Sequence, residues 1–171
     1  MLTLILLRHA KSSWDDPSLD DFDRPLAPRG IKAATAMAHF LESEIAPPDT
    51  IVCSPAQRAR ETLALVLPAL EGEMDISMDR ALYDLATPGA LFDHVRSIHP
   101  GARRLMLIGH NPLLEQIAAM LVGAGQAADR QAIATKYPTG ALAEIDFKGS
   151  DWNKVEPGSG TLKQFIQPRN L

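Results

Sequence analysis

The sequence predicts an α/β protein: a three-layer sandwich with a mostly parallel central sheet flanked by helices. Three observations carry that expectation. Short apolar runs recur at TLILL (3–7), TIVC (50–53), RLMLIG (104–109) and ALAEIDF (141–147), and the first three are nearly continuous, as in strands covered on both faces. Between them lie stretches whose apolar residues return with helical spacing. Strand and helix therefore alternate, the order that places a parallel sheet between two helical layers.

Taken along the chain, the first run is too short to span a bilayer and has no basic region before it, so it is expected to be a strand and neither a membrane segment nor a signal peptide. PRGIKAATAMAHFLESEI (28–45) puts Ala34, Met37, Ala38 and Leu41 on one helical face. AQRARETLALVLPAL (56–70), GALFDHVRSI (89–98) and PLLEQIAAMLV (112–122) are further helices, the last with Pro112 early in its first turn, where a missing N–H costs little. GAGQAA (123–128) matches a G-x-G-x-x-A pattern, but it follows a helix instead of a strand and reads as glycines ending that helix. TLKQFIQPR (161–169) is expected to add a strand beside 141–147, antiparallel and at an edge. PPD (47–49) and EPGSG (156–160) mark loops, and no repeat or low-complexity linker divides the chain, so residues 1–171 are expected to form one domain.

Composition narrows the function classes. With 171 residues, 46% of them hydrophobic, the chain is long enough to bury a sizeable core. A net charge of −4 and Lys and Arg scattered without a run argue against nucleic acid as a partner. The single cysteine, Cys53, lies in an apolar stretch and is expected to be a buried thiol in a reducing compartment; the chain is expected to be cytoplasmic, with no membrane association, and monomeric. His39, His94 and His99 lack zinc-type spacing, and the acidic run WDDPSLDDFD (14–23) lacks the glycine and closing glutamate of a calcium loop, so no metal and no cofactor are implied. That acidic run reads as a solvated loop, with DRP (23–25) fixing it.

In a parallel sheet, ligands sit outside the carboxyl ends of the strands. Three of the apolar runs end in chemically capable residues: Arg8-His9 after the first, Ser54-Pro55 after the second with Arg58 in the opening turn of the next helix, and His110-Asn111 after the third. Paired guanidiniums such as Arg8 and Arg58 suit a phosphoryl dianion, because each offers planar, paired N–H donors. A neutral imidazole can accept a phosphoryl group and release it again.

LLRHAKSSW (6–14), CSPAQRARET (53–62) and LIGHNP (107–112), in this order, together with DFDRPLAPRG (21–30), PTGALAEIDF (138–147) and the tryptophan-containing tail, resemble the histidine phosphatase superfamily, the phosphoglycerate mutase-like fold, and within it the short SixA-like phosphohistidine phosphatases. The resemblance covers nearly the whole chain. It implies a metal-independent phosphatase in which His9 is the nucleophile and His110 hydrogen-bonds the equatorial phosphoryl oxygens in the transition state. It also implies that Ser12 binds phosphate, unless it only caps the local turn, and that Asn111 contacts the substrate. Two guanidiniums near His9 are expected to disfavour its protonated form.

Departures from the broader family pattern point away from the mutases. R-H-G reads R-H-A here, Asp15 stands where an asparagine often follows the nucleophile, and Ala33 replaces a glutamine. The chain also has no room for a large insertion over the site, which implies an open pocket suited to a phosphate displayed on a protein. Related phosphatases protonate the leaving alkoxide with a carboxylic acid, and the candidate here is Asp84 in RALYDLATPG (80–89), after a short strand-like stretch, with a helix-capping or solvated role as its alternative. The expected activity is hydrolysis of phosphohistidine on a protein, or of a similar phosphoramidate, through phospho-His9. The alternatives are a phosphomonoesterase acting on a small metabolite such as a sugar phosphate, and a silent phosphate-binding regulatory module.

Overall fold

The computed structural model describes residues 1–171. Seven strands form one sheet: β1 (Leu2–Arg8), β2 (Thr50–Cys53), β3 (Asp75–Met78), β4 (Arg104–Gly109), β5 (Val122–Gly125), β6 (Leu142–Phe147) and β7 (Gly160–Ile166), in the order β3-β2-β4-β1-β6-β7-β5. Only β6 runs against the others, being antiparallel to both β1 and β7. The helices are α1 (Pro28–Glu44), α2 (Gln57–Val66), the one-turn α3 (Ala81–Asp84), α4 (Pro88–Ile98), α5 (Leu113–Leu121) and α6 (Ala127–Thr135).

Alternation along β1 explains the three layers. Leu2, Leu4 and Leu6 join one buried cluster with α4 and α5 residues such as Leu91, Val95, Leu114 and Ile117, whereas Ile5 and Leu7 join the opposite cluster with Met37 and Leu41 of α1 and Leu63 and Val66 of α2. The expected face of α1 is the buried one. Pro28 opens α1, and Gly30 is required there because a Cβ would lie 2.1 Å from the Lys11 carbonyl oxygen. α4 is capped by Thr87, whose hydroxyl accepts from the Ala90 N–H. On the far side, Trp152 is fully buried and donates to the Ala102 carbonyl at 2.6 Å, fastening the tail to the core.

Three expectations need correction. The C-terminal strand is antiparallel to β6 as expected, but it is not the edge, because the glycine-rich stretch after α5 extends as β5 and pairs parallel to β7. Glycine serves there as a close-approach residue: a Cβ on Gly123 would sit 1.9 Å from the Gly158 carbonyl oxygen. The stretch before Asp84 is the helical turn α3; the strand lies earlier, at β3. Among the described residues no helix is long and apolar enough to cross a membrane.

Candidate active site

Arg8 pairs in register with Gly109, so the ends of β1 and β4 lie side by side and bring Arg8-His9 next to His110. The backbone pins this edge: His9 N–H donates to Gly109 O, Ser54 N–H to Ile108 O, and Gly140 N–H to the carbonyls of Arg8 and His9. The His9 and His110 rings are 4.9 Å apart between centroids. Arg58, on the first turn of α2, donates from Nε to His9 Nε2 at 3.4 Å.

His9 Nδ1 lies 2.7 Å from the Ala10 carbonyl oxygen, which can only accept, so the proton belongs on Nδ1 and Nε2 carries the free lone pair. Burial, first, holds the His9 pKa down to about 3, partly opposed by the Ala10 hydrogen bond, with the charges of His110, Arg58 and Arg8 adding to the depression. His110 is lowered to about 4, again by burial first and then by Arg58. The guanidiniums act in the expected direction, but desolvation is the larger cause. His110 Nε2 is 2.7 Å from Ser54 Oγ, which also accepts from the Ala56 N–H, so the hydroxyl hydrogen is free to point at Nε2 and leave a proton on Nδ1.

Arg8 donates to the Tyr137 carbonyl at 2.7 Å, and burial lowers its pKa despite the opposing charge of Glu115. Asn111 donates from its amide to Glu115 and to the same Tyr137 carbonyl, each at 3.1 Å. Among the described residues, the buried side-chain polar atoms without a protein partner are Arg8 Nε, His110 Nδ1 and Asn111 Oδ1, all three belonging to this cluster.

The other wall is the loop 12–26, whose importance the sequence did not reveal. Asp21 accepts from Arg58 at 2.9 Å, from Tyr83 Oη at 2.9 Å and from Arg24 at 3.1 Å, and its backbone carbonyl takes a further Arg58 donor. Burial pushes its carboxyl upward, but the hydrogen bonds from Arg58 and Tyr83 and the Arg58 charge outweigh it and hold the pKa below the ordinary value. Ser12 is buried and its hydroxyl accepts from Arg24 at 2.9 Å. Asp84 is turned away from these groups: its carboxylate pairs with Arg80 at 2.7 Å on an exposed surface, while Tyr83 beside it points to Asp21 and packs edge-on against the His110 ring. Cys53 is buried, and desolvation pushes its thiol up to about 12. No group of three or more His, Cys, Asp or Glu side chains among the described residues is placed to hold a metal ion.

Two histidines and two arginines at the carboxyl edge of a three-layer α/β sheet define the phosphoglycerate mutase-like class. The chain belongs to the histidine phosphatase superfamily, branch 1, whose family model matches residues 4–87. It is 35% identical over 168 residues to an uncharacterized protein of Mycobacterium tuberculosis, covering 95% of this chain and 100% of that relative. Among solved structures it is similar to a protein from Agrobacterium tumefaciens named for the phosphohistidine phosphatase SixA, at TM-score 0.78 and 29% identity over 98% of both chains. A protein from Nakamurella multipartitia with the same naming superposes at TM-score 0.82 over 98% of this chain and 96% of its own, and at 24% identity it supports the fold alone.

Proposed function

We propose that the protein is a phosphatase that removes the phosphoryl group from phosphohistidine on a protein, through a covalent phospho-His9 intermediate. The observation that carries the reading is the contact of His9 Nδ1 with the Ala10 carbonyl, an acceptor that calls for the proton on Nδ1 and leaves the Nε2 lone pair where Arg58 meets it. In the first step Nε2 of His9 attacks phosphorus while the P–N bond of the substrate breaks. The substrate imidazole, protonated on its other nitrogen, leaves as a neutral ring. Water then attacks the phosphoryl group on His9, inorganic phosphate departs, and His9 returns to its Nδ1–H form. Nucleophile and leaving group are the same heterocycle, so the transfer needs no strong acid. Arg8 Nε and His110 Nδ1, both buried without a protein partner, supply donors for the phosphoryl oxygens, and Arg58 supplies charge.

The carboxylates support a P–N substrate over an alkyl ester. An alkoxide leaves badly unless an acid protonates it. Asp84 is engaged with Arg80, and Asp21 is kept ionised by its three donors, so neither is set to deliver a proton. No metal is needed in this scheme, because the arginines and His110 neutralise the charge that a metal would otherwise meet.

The test compares kcat/KM for a phosphohistidine peptide and for alkyl phosphate monoesters of similar size, with the wild-type protein and Asp84→Asn. The expected result is preference for the peptide and less than roughly a tenfold loss in the variant. Preference for alkyl esters, with a hundredfold or larger loss in Asp84→Asn on both substrates, would move the assignment to a metabolite phosphatase with Asp84 as general acid.

A further inference from the structure

We infer that the basic groove between α1, the loop 136–139 and residues 167–171 docks an acidic segment of the phosphorylated protein substrate; this rests on the phosphohistidine reading and extends it from the phosphoryl group to the polypeptide that carries it. The groove encloses about 460 Å³ and is rimmed by Lys11, Arg29, Lys32, Lys136 and Arg169, with no acidic side chain in its lining. None of these five forms an ion pair among the described residues. The sequence shows no basic run because the five cations come from four separate segments that only the fold assembles. In a chain of net charge −4, they make one concavity opposite in sign to the rest of the molecule.

The chemistry of the lining selects a polypeptide. Gln167 is 7% exposed and lines the groove, where its side-chain amide offers both a donor and an acceptor to a peptide backbone. Ala33, Ala36, Pro138 and Pro168 give an apolar floor for aliphatic stems. No aromatic side chain lines the groove, so it lacks the stacking platform that single-stranded nucleic acid uses. A small metabolite anion would engage one or two of the cations, whereas an extended acidic segment can meet them all.

Position links the groove to the chemistry. Lys11 lies two residues after His9, which keeps their Cα atoms within about 7 Å. Pro138 and Thr139 follow Tyr137, whose carbonyl accepts from Arg8, and the next residue, Gly140, donates to the carbonyls of Arg8 and His9. The close contact of Gly30 with Lys11 sets α1 directly against the nucleophile's loop. A segment lying in the groove therefore delivers a phosphohistidine a few residues away to His9.

The experiment pairs a peptide carrying glutamates beside phosphohistidine with the same peptide bearing glutamines, and adds a small phosphoramidate. The double variant Lys32→Glu, Arg169→Glu is expected to lower kcat/KM for the glutamate peptide roughly tenfold or more through KM, because two attractive contacts become repulsive. Turnover of the phosphoramidate is expected to be unchanged. Equal kcat/KM for the two peptides with wild type, or an equal loss on peptide and phosphoramidate in the variant, would overturn the inference. Fluorescence anisotropy with the unphosphorylated glutamate peptide reads the groove without turnover. Weaker binding by the variant supports docking even if phosphohistidine is not the substrate, and equal binding, or wild-type preference for single-stranded RNA, rejects it.

Discussion

The two walls of the pocket are built by different means. Arg8, His9, Ser54 and His110 sit at strand ends whose backbone is tied into the sheet, and Arg58 stands on a helix that begins right after β2. Asp21, Arg24 and Tyr83 form the opposite wall by side-chain contacts, and the Asp21 side chain is 52% exposed. The sheet fixes the first wall, where the proposed transfer requires atoms in line with phosphorus. Ion pairs that solvent can screen hold the second, so it is the wall that can yield. Asp21 occupies two Arg58 donors that the proposed function assigns to an entering phosphoryl group. In the proposed reaction the strand-end wall supplies the chemistry, and the loop wall sets the charge the site presents.

That difference is sharpest when one residue is removed from each wall. Arg58→Ala takes away a preorganised donor whose contacts reach both His9 and Asp21, and the expected loss is about 3 kcal/mol of transition-state stabilisation, roughly a hundredfold in kcat/KM. A loss below roughly fivefold would place the catalytic charge elsewhere. On the other wall, Asp21→Asn keeps an oxygen acceptor for Arg58 but removes the competing negative charge. Inhibition by inorganic phosphate or vanadate is expected to tighten severalfold, while stability falls by about 1 kcal/mol as Arg24 and Arg58 lose an ionic partner. Steady-state inhibition and urea unfolding measure the two effects. Weaker inhibition would mean that Asp21 orients Arg58 more than it competes with the anion.

The same contrast explains what could be read from the sequence. Arg8, His9 and His110 each follow an apolar run directly, and Arg58 comes within a helical turn of one, so local pattern and strand direction put them together. Asp21 meets Arg58 across 37 positions and Tyr83 across 62, and no periodicity encodes such side-chain encounters. The fold divides likewise. β1, β2 and β4 are almost wholly buried and announce themselves, whereas β3 and β5 are short and largely exposed, and α6 buries only Ile133. Elements that bury little leave little apolar signal.

A further expected effect concerns protons, and it tests whether the strand-end wall is as dry as its burial implies. The pKa values of about 3 for His9 and about 4 for His110 lie below the ordinary histidine value, which the unfolded chain retains near 6.5. Between these limits the unfolded state binds more protons than the native one, so stability rises with pH there. The contribution is complete above about pH 6.5 and is lost progressively as pH falls toward 4 and then 3, where the native rings protonate too. This is opposite to a histidine that gains a carboxylate partner on folding. NMR of the two rings is expected to show no titration between about pH 8 and pH 5. The melting temperature is expected to fall over the lower part of that range, and to fall less steeply in His110→Asn, which removes one of the two titrating groups. A ring that titrates near 6.5 in the folded protein, or an unchanged pH slope in His110→Asn, would show that water reaches the wall and that His9 is not held neutral by desolvation.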